Sequence, residues 1–204
     1  MNKAILEIAT NYLFTNDNVM SRIIKKFGKC NLRPRRQYFN ALLKAIVGHQ
    51  ISTAAANAIN CRLMNKFNNK PEPKDILFTQ EDELKALGLS KAKIRYIKDL
   101  SQKILDGEIN LKRLSLKDDN EIINELTKVN GIGIWTAHMF LIFTLGRLNV
   151  LPYSDLGIKK AIMLNYKLKK LPNSQDVIRL AEKKNWHPYN SVAALYLWKT
   201  LENN

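Results

Sequence analysis

Two features of the sequence could act together on a phosphate-rich substrate: a glycine hairpin and a carboxylate 22 residues after it. The hairpin is Val129-Asn130-Gly131-Ile132-Gly133, in which two glycines one residue apart permit a tight turn with positive φ. A helical pattern begins directly afterwards at Ile134, so unpaired backbone N–H groups point outward there and suit a phosphate. The carboxylate is Asp155, a lone acid in basic surroundings at a predicted helix start.

The charge balance favours a polyanionic partner. The 204 residues contain 33 Lys and Arg against 18 Asp and Glu, a formal net charge of +15. A high positive charge can also serve only to keep a protein soluble. In this chain, however, the charge is unevenly distributed along the sequence. No acidic residue occurs between Asp17 and Glu72, although Lys and Arg are frequent there. Such a stretch repels itself unless phosphates neutralise it.

Composition excludes several other classes. A hydrophobic content of 46% indicates a globular protein, long enough for one domain or two small lobes. Cys30 and Cys61 lack C-x-x-C spacing, so we expect no disulfide framework and a reduced, intracellular protein. The N-terminal segment contains Glu7 and lacks a small-residue cleavage site, which argues against a secretory signal. No apolar run reaches membrane-spanning length, so no membrane partner is expected.

The elements that would position the hairpin and Asp155 are helices. Helical periodicity recurs along the chain and strand signals are nearly absent, so we predict an all-α protein. The predicted helices cover residues 2–14, 19–27, 38–47, 53–67, 75–78, 81–87, 91–105, 119–127, 134–145, 156–168, 174–183 and a last helix from Trp186 onward.

These motifs together resemble the helix-hairpin-helix (HhH-GPD) DNA glycosylase superfamily, which has a Gly/Pro-rich loop and an essential Asp. Within it, the chain is similar to the 3-methyladenine DNA glycosylase II branch over roughly residues 42–201. Besides the hairpin and Asp155, the matches are the turn Gly48-His49-Gln50-Ile51-Ser52 and a C-terminal pattern. That pattern is W-x-P-Y-x-S from Trp186, followed by A-L-Y-L-W ending at Trp198.

The resemblance implies a single domain over residues 1–204 with two helical lobes flanking a DNA-binding cleft. One lobe would hold residues 36–117, and the other residues 1–35 and 118–204. Asp155 would line the cleft. The branch often carries an extra N-terminal α/β domain, but the residues before Leu42 have helical periodicity, so we expect the compact form.

The implied activity is removal of alkylated purines, such as 3-methyladenine and 7-methylguanine, from duplex DNA, which starts base excision repair. The nucleotide must first be flipped out of the stack. Asp155 would then stabilise an oxocarbenium-like sugar and orient or deprotonate water. The structural alternative is that Asp155 only N-caps its helix. The catalytic and capping roles are compatible. Alternative functions are a glycosylase for deaminated or oxidised bases and a non-catalytic DNA-binding protein.

An alkylated purine is cationic, so an aromatic pocket could select it by stacking and cation–π attraction. The candidates are Trp135, Tyr153 and Trp198, although core tryptophans are the usual alternative for the two Trp residues. By resemblance, His49 would lie beside this pocket, and Met139 replaces an aromatic residue usual in the branch. Trp135 also stands where strand-cutting members have a nucleophilic Lys, so we expect no lyase activity.

The resemblance also assigns DNA contacts. Gln50 would be the wedge that fills the gap left by the flipped nucleotide, unless its turn is merely polar with His49 capping a carbonyl. Ser52 is expected to N-cap the next helix. The turn before Lys91 and Lys93 could bind a phosphate or be a plain capped turn. The full set of implied DNA contacts is Gln50, Ser52, Lys91, Lys93, Gly131, Gly133 and Ile134.

No cofactor is expected to be required. The family binds Na⁺ or K⁺ through hairpin carbonyls, which here would belong to Thr127, Val129 and Ile132. The four-cysteine loop of iron–sulfur members is absent, so no cluster is expected. The expected partner is double-stranded DNA with damaged bases, bound by a monomer inside the cell.

Overall fold

The computed structural model describes residues 3–35 and 37–202, which are helical without a strand. The twelve α-helices of these residues are α1 (Lys3–Asn16), α2 (Asn18–Phe27), α3 (Tyr38–Gly48), α4 (Thr53–Lys66), α5 (Pro73–Phe78), α6 (Glu81–Ala86), α7 (Lys91–Leu105), α8 (Asp119–Leu126), α9 (Ile134–Phe140), α10 (Leu156–Asn165), α11 (Ser174–Lys183) and α12 (Asn190–Lys199). A 3₁₀ turn spans Leu114–Leu116, and a π-helical turn, Leu141–Leu145, continues α9.

The all-α prediction is confirmed, and most predicted helices agree with the structure to within a few residues. Asn2, the predicted start of the first helix, lies outside the described residues. None of the described helices combines the length and apolarity needed to cross a bilayer.

Two predicted helix ends are wrong, and both errors have the same backbone cause. Helix α10 ends at Asn165 instead of residue 168, because Lys167 adopts a φ of 54° and the Leu168 N–H turns back to the Met163 carbonyl. Helix α12 begins at Asn190 instead of Trp186. Trp186 instead closes α11, since its N–H bonds to the Ala181 carbonyl after Asn185 at a φ of 52°.

The described residues divide into two compact units. The first comprises those within Met1–Pro34 and Leu141–Asn204, and the second those within Arg35–Phe140. The structure therefore groups residues 118–140 with the second unit, whereas the predicted lobes grouped them with the other. Arg36, the predicted lobe boundary, lies outside the described residues.

The first unit is built around α12, which packs against α1, α2 and α10. Its interior contains a buried carboxylate, Asp17, which caps α2 by accepting from the Val19 N–H at 2.8 Å. The same side chain accepts from the Trp186 indole N–H at 3.0 Å and from the Tyr166 hydroxyl. Trp186 is fully buried in this interior.

The second unit is built around α7, which packs against α3, α5 and α6. Apolar residues of α3 and α7 form its interior, including Leu42, Ile46, Ile94 and Ile97. Helices α8 and α9 pack against each other and enclose the glycine hairpin, and α9 also contacts α3. The unit thus brings the hairpin and the turn after α3 onto one set of supporting helices.

Candidate functional sites

Asp155 caps the helix that it precedes. It has an extended backbone (φ −68°, ψ 125°), and its Oδ1 accepts from the Ile158 N–H at 2.7 Å. The N-cap role weighed from the sequence is therefore confirmed. The residue is only 9% exposed, so its carboxylate is held in largely desolvated surroundings.

A second donor fixes the same oxygen. The Trp198 indole N–H lies 2.9 Å from Oδ1 of Asp155, and the Trp198 ring also packs against Phe143 with a centroid separation of 5.7 Å. A Cβ at position 157 would lie 3.0 Å from that oxygen and 3.3 Å from the indole, so Gly157 leaves room for this contact. The sequence predicted Trp198 only as a pocket wall and missed its hydrogen bond to the carboxylate.

Tyr153 and Met139 are half-buried, and Trp135 is 44% exposed. Tyr153 lies in the loop that leads to α10, two residues before Asp155 and in the same unit. Trp135 and Met139 lie one turn apart on α9 of the other unit. The base-pocket role of these three residues stays a prediction.

The turn after α3 is strained at its tip. Gln50 is exposed and has a φ of 55°, a left-handed conformation that a non-glycine residue adopts only when its surroundings impose it. Ser52 then caps α4 by accepting from the Ala55 N–H at 3.2 Å, as predicted. Gln50, the predicted wedge, is therefore an exposed residue on a strained backbone between α3 and the capped start of α4.

His49, immediately before Gln50, makes a side-chain hydrogen bond to α9. Its Nε2 lies 3.0 Å from Oγ1 of the buried Thr136, so the ring bonds to a hydroxyl and not to the carbonyl considered from the sequence. Burial, followed by the charge of Lys93, holds the pKa of His49 below its usual value. Both effects favour the neutral imidazole over the charged form.

Lys93 was predicted to contact DNA, but its side chain is buried. It is 9% exposed, and its ammonium group donates to the Val47 carbonyl at 2.6 Å. Burial lowers the pKa of this lysine. Lys93 therefore stabilises the end of α3, next to the turn that carries Gln50, whereas Lys91 in the same first turn of α7 is exposed.

The hairpin itself is shaped by its first glycine. Gly131 has a φ of 85°, and a Cβ there would lie 2.4 Å from the ring of Tyr96. Gly133 differs, because a Cβ there would meet no atom of the chain within 4 Å. Ile134 is 46% exposed beside it. The side of the hairpin at Gly133 and Ile134 is thus open to an incoming molecule.

An open groove of about 580 Å³ runs along this hairpin. Thr127, Val129 and Ile132, the predicted cation ligands, line it together with His49 and Gln50. The Val129 carbonyl already accepts from the Ile132 N–H at 3.0 Å. The cation stays a prediction.

Residues 43–187 match the family model described as HhH-GPD superfamily base excision DNA repair protein. Because the match covers most of the chain, the chain belongs to this superfamily, and the resemblance seen in its sequence is confirmed.

Its relatives include the alkylbase DNA glycosidase-like protein mag2 of Schizosaccharomyces pombe, 32% identical over 94% of this chain and 92% of that protein. YfjP of Bacillus subtilis is 34% identical over 80% of this chain, and the chain spans 59% of the length of YfjP. Among solved structures, the S. pombe 3-methyladenine DNA glycosylase Mag1 in complex with abasic DNA superposes with a TM-score of 0.83. That structure is 32% identical, and the match covers 95% of this chain and 96% of Mag1.

Proposed function

We propose that this protein is a monofunctional DNA glycosylase that removes alkylated purines from duplex DNA and so initiates base excision repair. Family membership and the names of the relatives support the reaction class and the substrate class. The observation that carries the proposal in this chain is the Asp155 carboxylate, oriented by the Ile158 N–H and the Trp198 indole N–H.

The chemistry requires the damaged nucleotide to leave the stack, because its glycosidic bond is inaccessible inside the duplex. The bond from C1′ to the base nitrogen then breaks, and the base takes the bonding electrons. The electrons neutralise the positive charge of an alkylated purine, so little protonation of the leaving group is needed. Water adds to C1′, its proton passes to Asp155 and then to solvent, and an abasic sugar remains.

Orientation of the carboxylate matters because positive charge develops on the sugar during this step. A carboxylate already held by two N–H donors does not have to reorganise when the cation forms, which is the general advantage of a preorganised site. Gly157 contributes by permitting the close approach of the Trp198 indole to Asp155. Asp155 is thus the catalytic residue of the proposal, and Trp198 positions it.

Tyr153 and the Trp198 ring, both in the first unit, are the residues proposed to select a cationic base through stacking and cation–π attraction. Trp135 in place of a lysine supports base removal without strand cleavage, since an indole forms no Schiff base. Met139 would offer a base a softer contact than the aromatic residue usual in the branch.

DNA would be held by backbone and side-chain groups of the second unit. Gln50 is the proposed wedge, and the open side of the hairpin at Gly133 and Ile134 is the proposed phosphate contact. Lys91 adds an exposed cation, and a Na⁺ or K⁺ ion at the hairpin carbonyls would add another positive charge. The protein would act inside the cell, on chromosomal DNA, as a monomer.

The test is base release from a duplex that contains one 3-methyladenine or 7-methylguanine. The wild type should leave an abasic site without strand cleavage. Asp155→Asn should lose about 10²–10⁴-fold in rate, the usual contribution of a general base. Asparagine is itself a good N-cap, so the variant keeps the Ile158 contact and its fold.

Three results would contradict the proposal. Full activity of Asp155→Asn would remove the carboxylate from the mechanism. Strand cleavage without added base would show lyase activity. Failure to release either base, with duplex binding intact, would favour another lesion class or a non-catalytic DNA-binding protein.

A further inference from the structure

The tip of the hairpin is held by a carboxylate that the glycosylase chemistry does not use. Oδ2 of Asp99, on α7, accepts from the backbone N–H of Asn130 at 2.8 Å and from its side-chain amide at 3.1 Å. The two residues are 31 positions apart in the chain. Asn130 is exposed, and it directly precedes the glycine that turns the hairpin.

Asp99 is itself fixed from the other side. Its Oδ1 lies 3.3 Å from the ammonium group of Lys103, one turn further along α7, and the two side chains are about one-fifth exposed. One oxygen therefore faces the hairpin and the other faces a cation. A carboxylate held at both oxygens has one orientation, so the hydrogen bonds to Asn130 have a fixed direction.

The same face of α7 supports the next residue of the hairpin by shape. Tyr96 lies one turn before Asp99, and its ring occupies the space that a Cβ at Gly131 would need. The guanidinium group of Arg95 lies 5.7 Å from the centre of that ring. Helix α7 thus fixes the hairpin by a polar contact at Asn130 and by packing at Gly131, while Gly133 stays open.

We propose that Asp99 is a positioning residue for DNA binding, which holds the hairpin so that its free N–H groups converge on one phosphate. This inference rests on the proposed function, in which the hairpin contacts DNA. The placement of a carboxylate there is otherwise unfavourable, because a negative charge near an anion site repels the phosphate. Its contribution must come from the geometry that it imposes on the hairpin.

The two effects have opposite signs, and this makes the proposal testable. If Asp99 were only a surface charge, its removal would strengthen DNA binding. If it positions the hairpin, its removal weakens binding. Asp106 provides a matched control, since it is an acid at the end of the same helix whose Oδ1 accepts from the Gln102 side chain at 2.8 Å.

The experiment measures the affinity for an undamaged duplex by fluorescence anisotropy over a series of salt concentrations. Asp99→Ala should bind roughly tenfold more weakly, as expected when a charge-assisted hydrogen bond is lost. The slope of log K against log salt should fall by about 0.9, which corresponds to one phosphate contact. Asp106→Ala should bind as tightly as the wild type or more tightly.

The substitution Asp99→Glu tests the position of the carboxylate separately from its charge. It keeps the negative charge but displaces the carboxylate by one methylene group, so weaker binding is expected here as well. In base-release assays both Asp99 variants should show a raised KM with kcat unchanged at saturating DNA. If Asp99→Ala destabilises the fold, as judged by thermal unfolding, Asp99→Glu provides the decisive comparison.

Wild-type or tighter binding by Asp99→Glu, or an effect of Asp99→Ala equal to that of Asp106→Ala, would overturn the inference. Because the binding assay uses undamaged DNA, it gives an answer even if the protein releases no base. Conversely, normal base release combined with normal binding by the Asp99 variants would refute the positioning role alone and leave the glycosylase proposal standing.

Discussion

Replacement of Trp198 by Phe tests whether the indole N–H or the aromatic ring of this residue matters to the reaction. Phe keeps a ring that can stack on a base and pack against Phe143, but it removes the donor that lies 2.9 Å from Oδ1 of Asp155. The Ile158 N–H at 2.7 Å remains, so the helix stays capped. The substitution thus removes one of the two hydrogen bonds described for Oδ1 of Asp155.

The magnitude follows from the kind of contact that is lost. A hydrogen bond to a charged group contributes about 1.5–3 kcal/mol. Each 1.36 kcal/mol of transition-state stabilisation corresponds to about tenfold in rate. If the restraint acts fully in the transition state, kcat should fall roughly 10- to 100-fold. KM for the damaged duplex should hardly change, because the indole N–H bonds to Asp155 and not to DNA.

The assay is single-turnover base release at saturating enzyme, with duplex affinity measured separately. Trp186→Phe is the matched control, since it also removes an indole N–H that donates to a carboxylate, that of Asp17 at 3.0 Å. That contact is in the core, so Trp186→Phe should lower the free energy of unfolding and leave kcat of the folded enzyme unchanged. A Trp198→Phe enzyme that keeps nearly all of its kcat would refute the positioning role and favour a purely stacking one.

Four further predictions concern the hairpin, the core and the dependence of stability on pH. Gly131→Ala should lower both the free energy of unfolding and the affinity for DNA. A φ of 85° costs about 1 kcal/mol for alanine, and the added Cβ would clash with the ring of Tyr96. Gly133→Ala should leave the melting temperature unchanged, since its Cβ would meet no atom of the chain within 4 Å. It should weaken duplex binding if a phosphate approaches the hairpin on this side. Asp17→Ala leaves buried donors unsatisfied and should lower the free energy of unfolding by about 3 kcal/mol in denaturant titrations. The pKa of His49 is lowered by burial, so the unfolded chain binds its proton more readily. Stability should therefore fall as the pH drops below about 6.5, and His49→Asn should make melting temperature less dependent on pH there.

Much of the fold could be predicted because its helices are specified locally. Apolar periodicity placed most helices to within a few residues, and the Ser52 and Asp155 caps depend on side chains that bond three residues ahead. The two wrong helix ends were not predictable in this way, because each depends on a backbone conformation that its residue type does not specify. Lys167 and Asn185 adopt left-handed conformations. Lysine gives no local signal of such a conformation, and asparagine permits it without requiring it.

The sequence supplied candidate site residues but not the contacts that they make. Asp155, Gln50 and the hairpin were recognised because their types and spacing match a family pattern. The residues that orient them were missed, among them Gly157, Thr136 and Asp99. A faint signal existed for Gly157, a glycine in the first turn of a helix, where it lowers helix propensity and therefore needs a packing reason.

The sequence by itself determined the all-helical class, the hairpin, the cap at Asp155 and the positive charge, because each depends on neighbouring residues or on composition. Only the tertiary structure decided that Trp198 bonds to Asp155, that Asp99 holds Asn130, and that Lys93 is directed to the Val47 carbonyl. These pairs are separated by 43, 31 and 46 residues. Contacts over such distances depend on how helices pack, and helix packing is set by the whole interior and not by any short pattern.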